Sequence, residues 1–342
     1  LTANIPHSAA EAHQVILWED VGETEGTGIV HIAPGCGAED FQLGRQYNLP
    51  MIAPLEDEGL FVENFDWLTG MNVANVADPI FKDLERKGVL YHVEPYTHRY
   101  PTCWRCKTEL VFRLVDEWFL SMGETYDKPR EQLTAEEKDR SLRYQIMDVV
   151  EKIRWIPEFG FSREMDWLRN MHDWMISKKR FWGLALPIWV CPSCSHYEVI
   201  GSEVELKERA VDGWEQFEGH TPHRPYIDAV KLECPHCRAA GKRSLMSRIP
   251  DVGNPWLDAG IVPFSTLQYR ADPDFWRSWY PANWISESFP GQFRNWFYSL
   301  LAMATVIDSS PPFLQNFGYG TLLAEDGRSE ERRVGKECRS RW

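Results

Sequence analysis

No uninterrupted apolar run in this 342-residue sequence reaches the roughly 18 residues that a membrane-spanning helix needs. The first residues, Leu1-Thr2-Ala3-Asn4-Ile5, lack the charged-then-apolar order of a targeting peptide. Positive charge is scarce as well: 37 Lys and Arg face 51 Asp and Glu, a formal net charge of −14. That balance excludes a protein whose whole surface is a nucleic-acid footprint but permits a local basic groove. Disulfide chemistry has little support. Six of the eight cysteines fall in three Cys-x-x-Cys pairs, Cys103/Cys106, Cys191/Cys194 and Cys234/Cys237, and without a secretory signal that spacing reads as metal ligation first. The sequence thus reads as an internal stretch of a cytoplasmic protein.

What is present argues for two or three globular domains: 43% of residues are hydrophobic, 13% aromatic, and sixteen are tryptophan. Residues 14–33 alternate apolar and polar or small positions around Gly26-Thr27-Gly28, which predicts a hairpin-rich β segment. Helical spacing follows through Phe41, Leu43 and Tyr47, with Asp40 near the first turn, where the helix dipole favours a carboxylate. Asp78-Pro79 through Gly88 predicts a short helix capped by Asp78. Leu142, Ile146, Val149, Val150 and Ile153 form one apolar helical face ending before Pro157, and a second helix holds Trp167, Leu168 and Met171. The basic run Ser177-Lys178-Lys179-Arg180 leads to Trp182-Gly183 and an apolar, strand-like segment closed by Pro187. A further helix is expected from Gly291 to about Ile307. Residues 328–342 break with the preceding composition and resemble the translation of a sequencing-library adapter, so they are set aside as non-native.

The strongest chemical signal is Cys191-x-x-Cys194 with Cys234-x-x-Cys237: four soft ligands in two knuckles suit tetrahedral zinc. Thirty-nine residues separate the pairs, so the intervening segment must fold as its own module. His196 and His236 are substitutes only if a cysteine is out of reach. Cys103 and Cys106 supply half a site. Taken alone, His31 and Asp40 read as a strand histidine and a helix-start carboxylate, and Trp256 and Trp296 as ordinary core.

Five ordered blocks change those odds by resemblance. Met175-Ile176-Ser177-Lys178-Lys179-Arg180-Phe181-Trp182-Gly183-Leu184-Ala185-Leu186-Pro187-Ile188-Trp189 resembles a segment shared by the isoleucyl, valyl and leucyl class I aminoacyl-tRNA synthetases. The Cys-x-x-Cys immediately after Trp189 is most similar to the isoleucyl branch. Gly26-Thr27-Gly28-Ile29-Val30-His31-Ile32-Ala33-Pro34 and its continuation to Asp40 resemble the motif of the inserted editing domain, and Tyr96 to Cys106 the return from that insertion. Arg248 to Gly260 and Asn283 to Phe297 resemble two blocks of the catalytic domain, with departures at Leu257, Ala259, Gly291 and Asn295 and one extra residue between Glu287 and Gln292.

The resemblance implies an α/β fold: part of a Rossmann-like class I catalytic domain, part of a β-rich editing domain and a zinc module. It implies the C-terminal part of the editing domain over 1–95, a return to the core over 96–190, the zinc module over 191–245 and the second half of the catalytic domain over 246–327. It further implies ATP-dependent activation of isoleucine with Mg(II), transfer to tRNA(Ile), hydrolytic editing of Val-tRNA(Ile), and a monomer at full length with no membrane partner. Trp256 and Trp296 would wall the isoleucine pocket, Glu287 and Gln292 would bind the polar part of the aminoacyl-adenylate, and His31 and Asp40 would line the editing pocket. The family's "HIGH" and "KMSKS" motifs do not occur in the sequence, so this stretch by itself is expected not to aminoacylate tRNA. A valyl or leucyl enzyme, or a zinc-containing trans-editing or binding module, stays open.

Overall fold

The computed structural model describes residues 14–22, 28–95, 97, 99–103, 106–321, 323 and 325. The adapter-like tail and the Gly26-Thr27 turn lie outside them. The chain divides into two compact units, Leu1–Asp116 and Glu117–Trp342.

In the first unit, helix α1 (Ala38–Gln46) carries Glu39 and Asp40 in its first turn and Arg45 in its last, in accord with the helix dipole. Helix α2 spans Ala77–Arg86. It starts two residues earlier than the Asp78-Pro79 signal predicts: Val76, not Asp78, holds the cap position and Pro79 lies inside the first turn. The expected hairpin over 14–33 is not found: its described residues are in no strand, and Val15, Leu17 and Ile29 stand exposed. No ladder or bridge among the described residues includes this segment. The rest of the unit's β structure among described residues is isolated bridges, Leu55 with Phe61, Leu60 with Asn72 and Thr102 with Glu109, so the described part is not β-rich.

The second unit is mixed α/β. Its strands are β1 (Phe119–Leu120), β2 (Arg154–Ile156), β3 (Trp174–Met175), β4 (Ser177–Lys178), β5 (Ile188–Val190), β6 (Tyr197–Val199), β7 (Ala210–Asp212), β8 (Lys231–Glu233), β9 (Leu245–Arg248), β10 (Val252–Gly253), β11 (Ile285–Phe289) and β12 (Gln315–Gly320). A parallel sheet runs in the order β11-β12-β2, and an antiparallel one in the order β6-β5-β9-β8-β7. Two short antiparallel ladders, β1 with β3 and β10 with β4, complete the pairing. Strand β5 begins after Pro187 instead of ending at it, because proline has no N–H for a ladder and is tolerated at a strand's first edge.

Helices α3 (Ala135–Asp139), α4 (Leu142–Val150), α5 (Phe159–Asn170), α9 (Pro255–Ser265), α10 (Pro273–Trp279) and α11 (Trp296–Asp308) surround the parallel sheet, while α6 (Glu203–Arg209), α7 (Trp214–Phe217) and α8 (Pro235–Ala239) belong to the antiparallel one. Thr134 and Glu137 form a reciprocal capping box at the start of α3. The helix expected from Gly291 divides: a 3-10 turn covers Gly291–Arg294, and Asn295, at φ −121° and ψ −100°, separates it from α11. Ile146, Val149, Val150, Trp155, Met165, Leu168, Phe293, Phe297 and Leu301 share one buried cluster, so α4, α5 and α11 pack on a common core.

Arg143 and Glu164 are charged side chains sunk beside α4 and α5. Arg143 spends its guanidinium on the α5 C-terminus, donating to the carbonyls of Leu168, Arg169 (3.1 Å) and Met171 (2.6 Å). Glu164 has no exposed surface, and neither carboxylate oxygen has a hydrogen-bond partner in the structure. Burial pushes its pKa well above the usual glutamate range. A carboxyl with a raised folded-state pKa binds its proton more tightly when folded, so stability falls as pH rises from the ordinary glutamate range through the folded value. Glu164→Met is therefore expected to unfold at higher urea than the parent at neutral pH. The gap should widen between about pH 5 and pH 8 and shrink below it; a pH-independent gap would contradict the assignment.

Candidate functional site

The four-cysteine group is built at the meeting of two turns. Cys191 and Cys194 follow β5, and Cys234 and Cys237 bracket the start of α8 after β8, with Pro235 at the first helical position. All four Sγ atoms lie within 4.8 Å of one another; Cys191 to Cys237 is 3.7 Å and Cys194 to Cys234 is 3.6 Å. A tetrahedron with zinc–sulfur bonds of about 2.3 Å has sulfur–sulfur edges of about 3.8 Å, so the donor set fits that ion in type and in spacing. Backbone geometry adds to the fit: Cys191 N–H donates to the His196 carbonyl and Ser195 N–H to the Cys191 carbonyl, each closing a tight turn at the knuckle. The Ser244 hydroxyl draws the Cys191 thiol down to about 6, whereas burial pushes Cys237 up to about 12. The fully buried Trp189, Phe217, Val230, Leu232 and Met246 form the core behind the thiols, and the Trp189 indole N–H donates to the Val230 carbonyl at 2.9 Å. His196 and His236 stack on one another, centroids 3.7 Å apart. Cys103 and Cys106 are in the first unit and outside this group; the Cys106 thiol donates to the Thr108 hydroxyl at 3.2 Å.

Trp256 and Trp296 come from two helices that pack on each other. Both are half-buried and both lie against the same buried cluster. Gly260 sets how closely α9 approaches α11: a Cβ at that position would sit 2.5 Å from the Ser299 carbonyl oxygen. Asn254 caps α9, its side-chain oxygen accepting from the Trp256 N–H at 3.0 Å while its amide donates to the Met175 carbonyl at 3.0 Å. Gln292 acts similarly for α11, accepting from the Trp296 N–H at 3.2 Å. Glu287 is half-buried on β11; its carboxylate accepts from the Ser288 N–H at 2.6 Å and from the Tyr319 hydroxyl at 3.4 Å.

The first unit holds His31 and Asp40. His31 is exposed on an irregular stretch, and Asp40 is half-buried in the first turn of α1. The Asp40 carboxylate sits over Gly37, where a Cβ would come within 2.6 Å of Oδ2, and its charge joins burial in raising the Cys36 thiol. Among the described residues, no hydrogen bond or ion pair joins His31 to Asp40.

Two contributors went unremarked in the sequence. Asn254-Pro255 is a cap followed by proline at the first helical position, a local signal for the start of α9. Arg248 has no such signal. Its side chain, with 0% exposure, donates through Nε to Asp228 (2.6 Å) and through Nη1 to the carbonyls of Leu186 (3.1 Å) and Asp251 (2.9 Å). It ties the four-cysteine module to the strand that leads into α9.

The family model for class I tRNA synthetases (I, L, M and V) matches residues 19–339. Among curated proteins, the isoleucine–tRNA ligase of Methanothermobacter marburgensis is 37% identical over 336 residues, covering 98% of this chain and 30% of that protein. The ligase of the same name from Saccharolobus solfataricus is 35% identical, covering 94% and 30%, and that from Archaeoglobus fulgidus 34%, covering 98% and 30%. The chain thus spans about 30% of the length of these relatives. A crystal structure of an Agrobacterium radiobacter LeuRS ternary complex superposes with a TM-score of 0.29 at 19% identity, covering 48% of this chain and 22% of that one.

Two outcomes are expected. The chain should bind one zinc, released on thiol modification; Cys191→Ser should abolish binding and Cys106→Ser should leave it, and retention by Cys191→Ser would contradict the site. Gly260→Ala should cost about 1–3 kcal/mol in urea unfolding through overpacking of α9 on α11, while Gly320→Ala, with open space around it, should fall within about 0.5 kcal/mol of the parent.

Proposed function

Because the chain belongs to the class I tRNA synthetases of the I, L, M and V group, we propose that it forms part of an isoleucine–tRNA ligase with a second, editing pocket. Trp256 and Trp296 wall the side-chain pocket, Glu287 and Gln292 hold the polar part of the aminoacyl-adenylate, and His31 and Asp40 serve hydrolysis. Residues 1–95 are the end of the editing insertion, 96–190 its return, 191–245 the zinc module and 246–327 the second half of a Rossmann-like domain. The observation that carries the reading is that two tryptophans on packed helices abut one buried cluster, in a chain similar to isoleucine–tRNA ligases over nearly all its length.

The chemistry asks for positioning more than for a protein nucleophile. A carboxylate oxygen of isoleucine attacks the α-phosphorus of ATP, an O–P bond forms, and pyrophosphate departs. A ribose hydroxyl at the tRNA terminus then attacks the acyl carbon, an ester forms, and AMP leaves with the bonding pair. Rate in such a step derives from holding reactants together and from charge stabilisation at the phosphates. Rigid aromatic walls meet the positioning requirement, since the rings bury a branched aliphatic group and resist collapse around a smaller one. Zinc bound at the four cysteines supplies cross-linking of the module and no step of the reaction.

Editing follows from the limits of apolar recognition. One methylene changes binding only modestly, isoleucine activation being the standard illustration, so a valine that slips through must be removed elsewhere. Asp40 would grip the α-ammonium of the mischarged ester and His31 would line the same pocket, holding the ester carbonyl open to water.

The test is ATP–pyrophosphate exchange by the complete reading frame with isoleucine, valine and leucine. Isoleucine should be preferred, and Trp256→Ala should raise KM for isoleucine while leaving KM for ATP nearly unchanged. The present chain alone should show no exchange. Preference for valine or leucine would reassign the substrate, and hydrolysis of Val-tRNA with no exchange at all would favour a trans-editing module.

A further inference from the structure

Residues 178–183, where the chain's basic cluster meets an aromatic pair, have no part in the chemistry proposed above, yet they are held at several points. Lys179 is paired with the buried Asp251 at 3.0 Å, and Arg180 N–H donates to the Lys178 carbonyl at 2.9 Å. Arg224 donates from Nε to Asp228 at 2.8 Å and from Nη1 to the Arg180 carbonyl at 3.4 Å. At the far end Gly183 adopts φ +148°, with Val252 so near that a Cβ would lie 2.9 Å from its Cγ2. The loop is thus pinned at both ends, and what it presents to solvent is apolar: Phe181 is 47% exposed and Trp182 75%, their rings edge to face at 5.0 Å. The Arg224 guanidinium covers one face of Phe181 at 4.8 Å.

The local charge is opposite to that of the chain. Lys178, Lys179, Arg180, Arg224 and the buried Arg248 outnumber Glu117, which accepts from the Ser177 hydroxyl, and Asp228 and Asp251, which are already paired, whereas the whole sequence carries −14. A mostly exposed indole set edge to face against Phe181, whose ring the Arg224 guanidinium covers, matches the chemistry that receives an unpaired nucleotide strand: π-faces for bases and cations for phosphates.

We propose that this loop is a stacking platform for single-stranded RNA, with Trp182 taking a nucleobase and Arg180, Lys178 and the free edge of Arg224 taking phosphates. That the strand is the unpaired end of a transfer RNA rests on the synthetase reading; the platform itself does not. Duplex RNA is a poor fit, since its bases are already stacked on one another.

Fluorescence anisotropy of the full chain with a short labelled single-stranded RNA tests the proposal. Trp182→Ala should weaken binding about tenfold, within the range for loss of one base–aromatic stack, and Trp182→Phe should restore most of it. Arg180→Gln should reduce the slope of log affinity against log salt by about 0.7, the loss of one phosphate contact on a single strand. Equal affinity for parent and Trp182→Ala, or no rescue by phenylalanine, would overturn the platform. In the complete protein, peptide-resolved tryptophan oxidation should find Trp182 reactive alone and protected by tRNA. Protection without RNA would show that the rest of the polypeptide or a second copy covers the loop, and would overturn it too. Pyrophosphate exchange, read separately and without RNA, reports whether the synthetase reading itself has failed.

Discussion

The interaction on which the larger unit's organisation turns is the buried fork of Arg248. Its guanidinium has no exposed surface and meets one carboxylate and two carbonyl oxygens from three segments: Asp228 in the four-cysteine module, Leu186 before β5, and Asp251 before β10. A lysine ammonium also has three donors, but all on one atom; the planar guanidinium spreads its donors over Nε and Nη1 and so reaches acceptors set apart. Removing Asp228 would leave the buried guanidinium without its carboxylate, at a cost below the roughly 3–5 kcal/mol of a fully buried pair because Asp228 is itself partly exposed. From Asp251 the chain passes into β10, pairs with β4, and reaches Asn254, whose N–H donates to the Ile176 carbonyl at 2.7 Å and whose side chain caps the helix bearing Trp256. The four-cysteine module and the helix bearing Trp256 are therefore successive links of one hydrogen-bonded chain.

Asp228 and Asp251 also hold the exposed aromatic loop, through Arg224 and Lys179 respectively. One small set of carboxylates thus fixes the four-cysteine module, a helix start and a basic surface loop. Their negative charge is spent internally, which lets that face present cations in an otherwise acidic chain. The first unit works on a smaller scale: Asp83 is buried between Arg86 and Lys87 of its own helix end, and these two cations hold its carboxyl below the usual range.

What could be read from residues alone followed the range of each signal. Cysteine pairs announce themselves by spacing, and the four Sγ atoms do converge. Helical periodicity found the buried face of α4 and most of α11. It overran the start of α11 because Gly291, Gln292 and Phe293 keep an apolar rhythm while Asn295 breaks the backbone, a dihedral event with no periodic signature. Alternation misled at 14–33, where Val15 and Leu17 are exposed and the described residues form no strand. The Arg248–Asp228 pair, twenty residues apart, was invisible: nothing local distinguishes a surface arginine from one that closes a core. The placements of Trp256 and Trp296 on facing helices rest on Gly260 and Ser299, a close contact that sequence pattern cannot express.

That Arg248 carries the mechanical connection from the cysteine module to the helix holding Trp256 is tested most directly by amide hydrogen exchange in Arg248→Lys. Faster exchange is predicted at Gly253, Asn254 and Trp256, whose N–H groups bond Leu184, Ile176 and the Asn254 side chain, with protection in α4 unchanged. Undiminished protection at those three amides would contradict the connection.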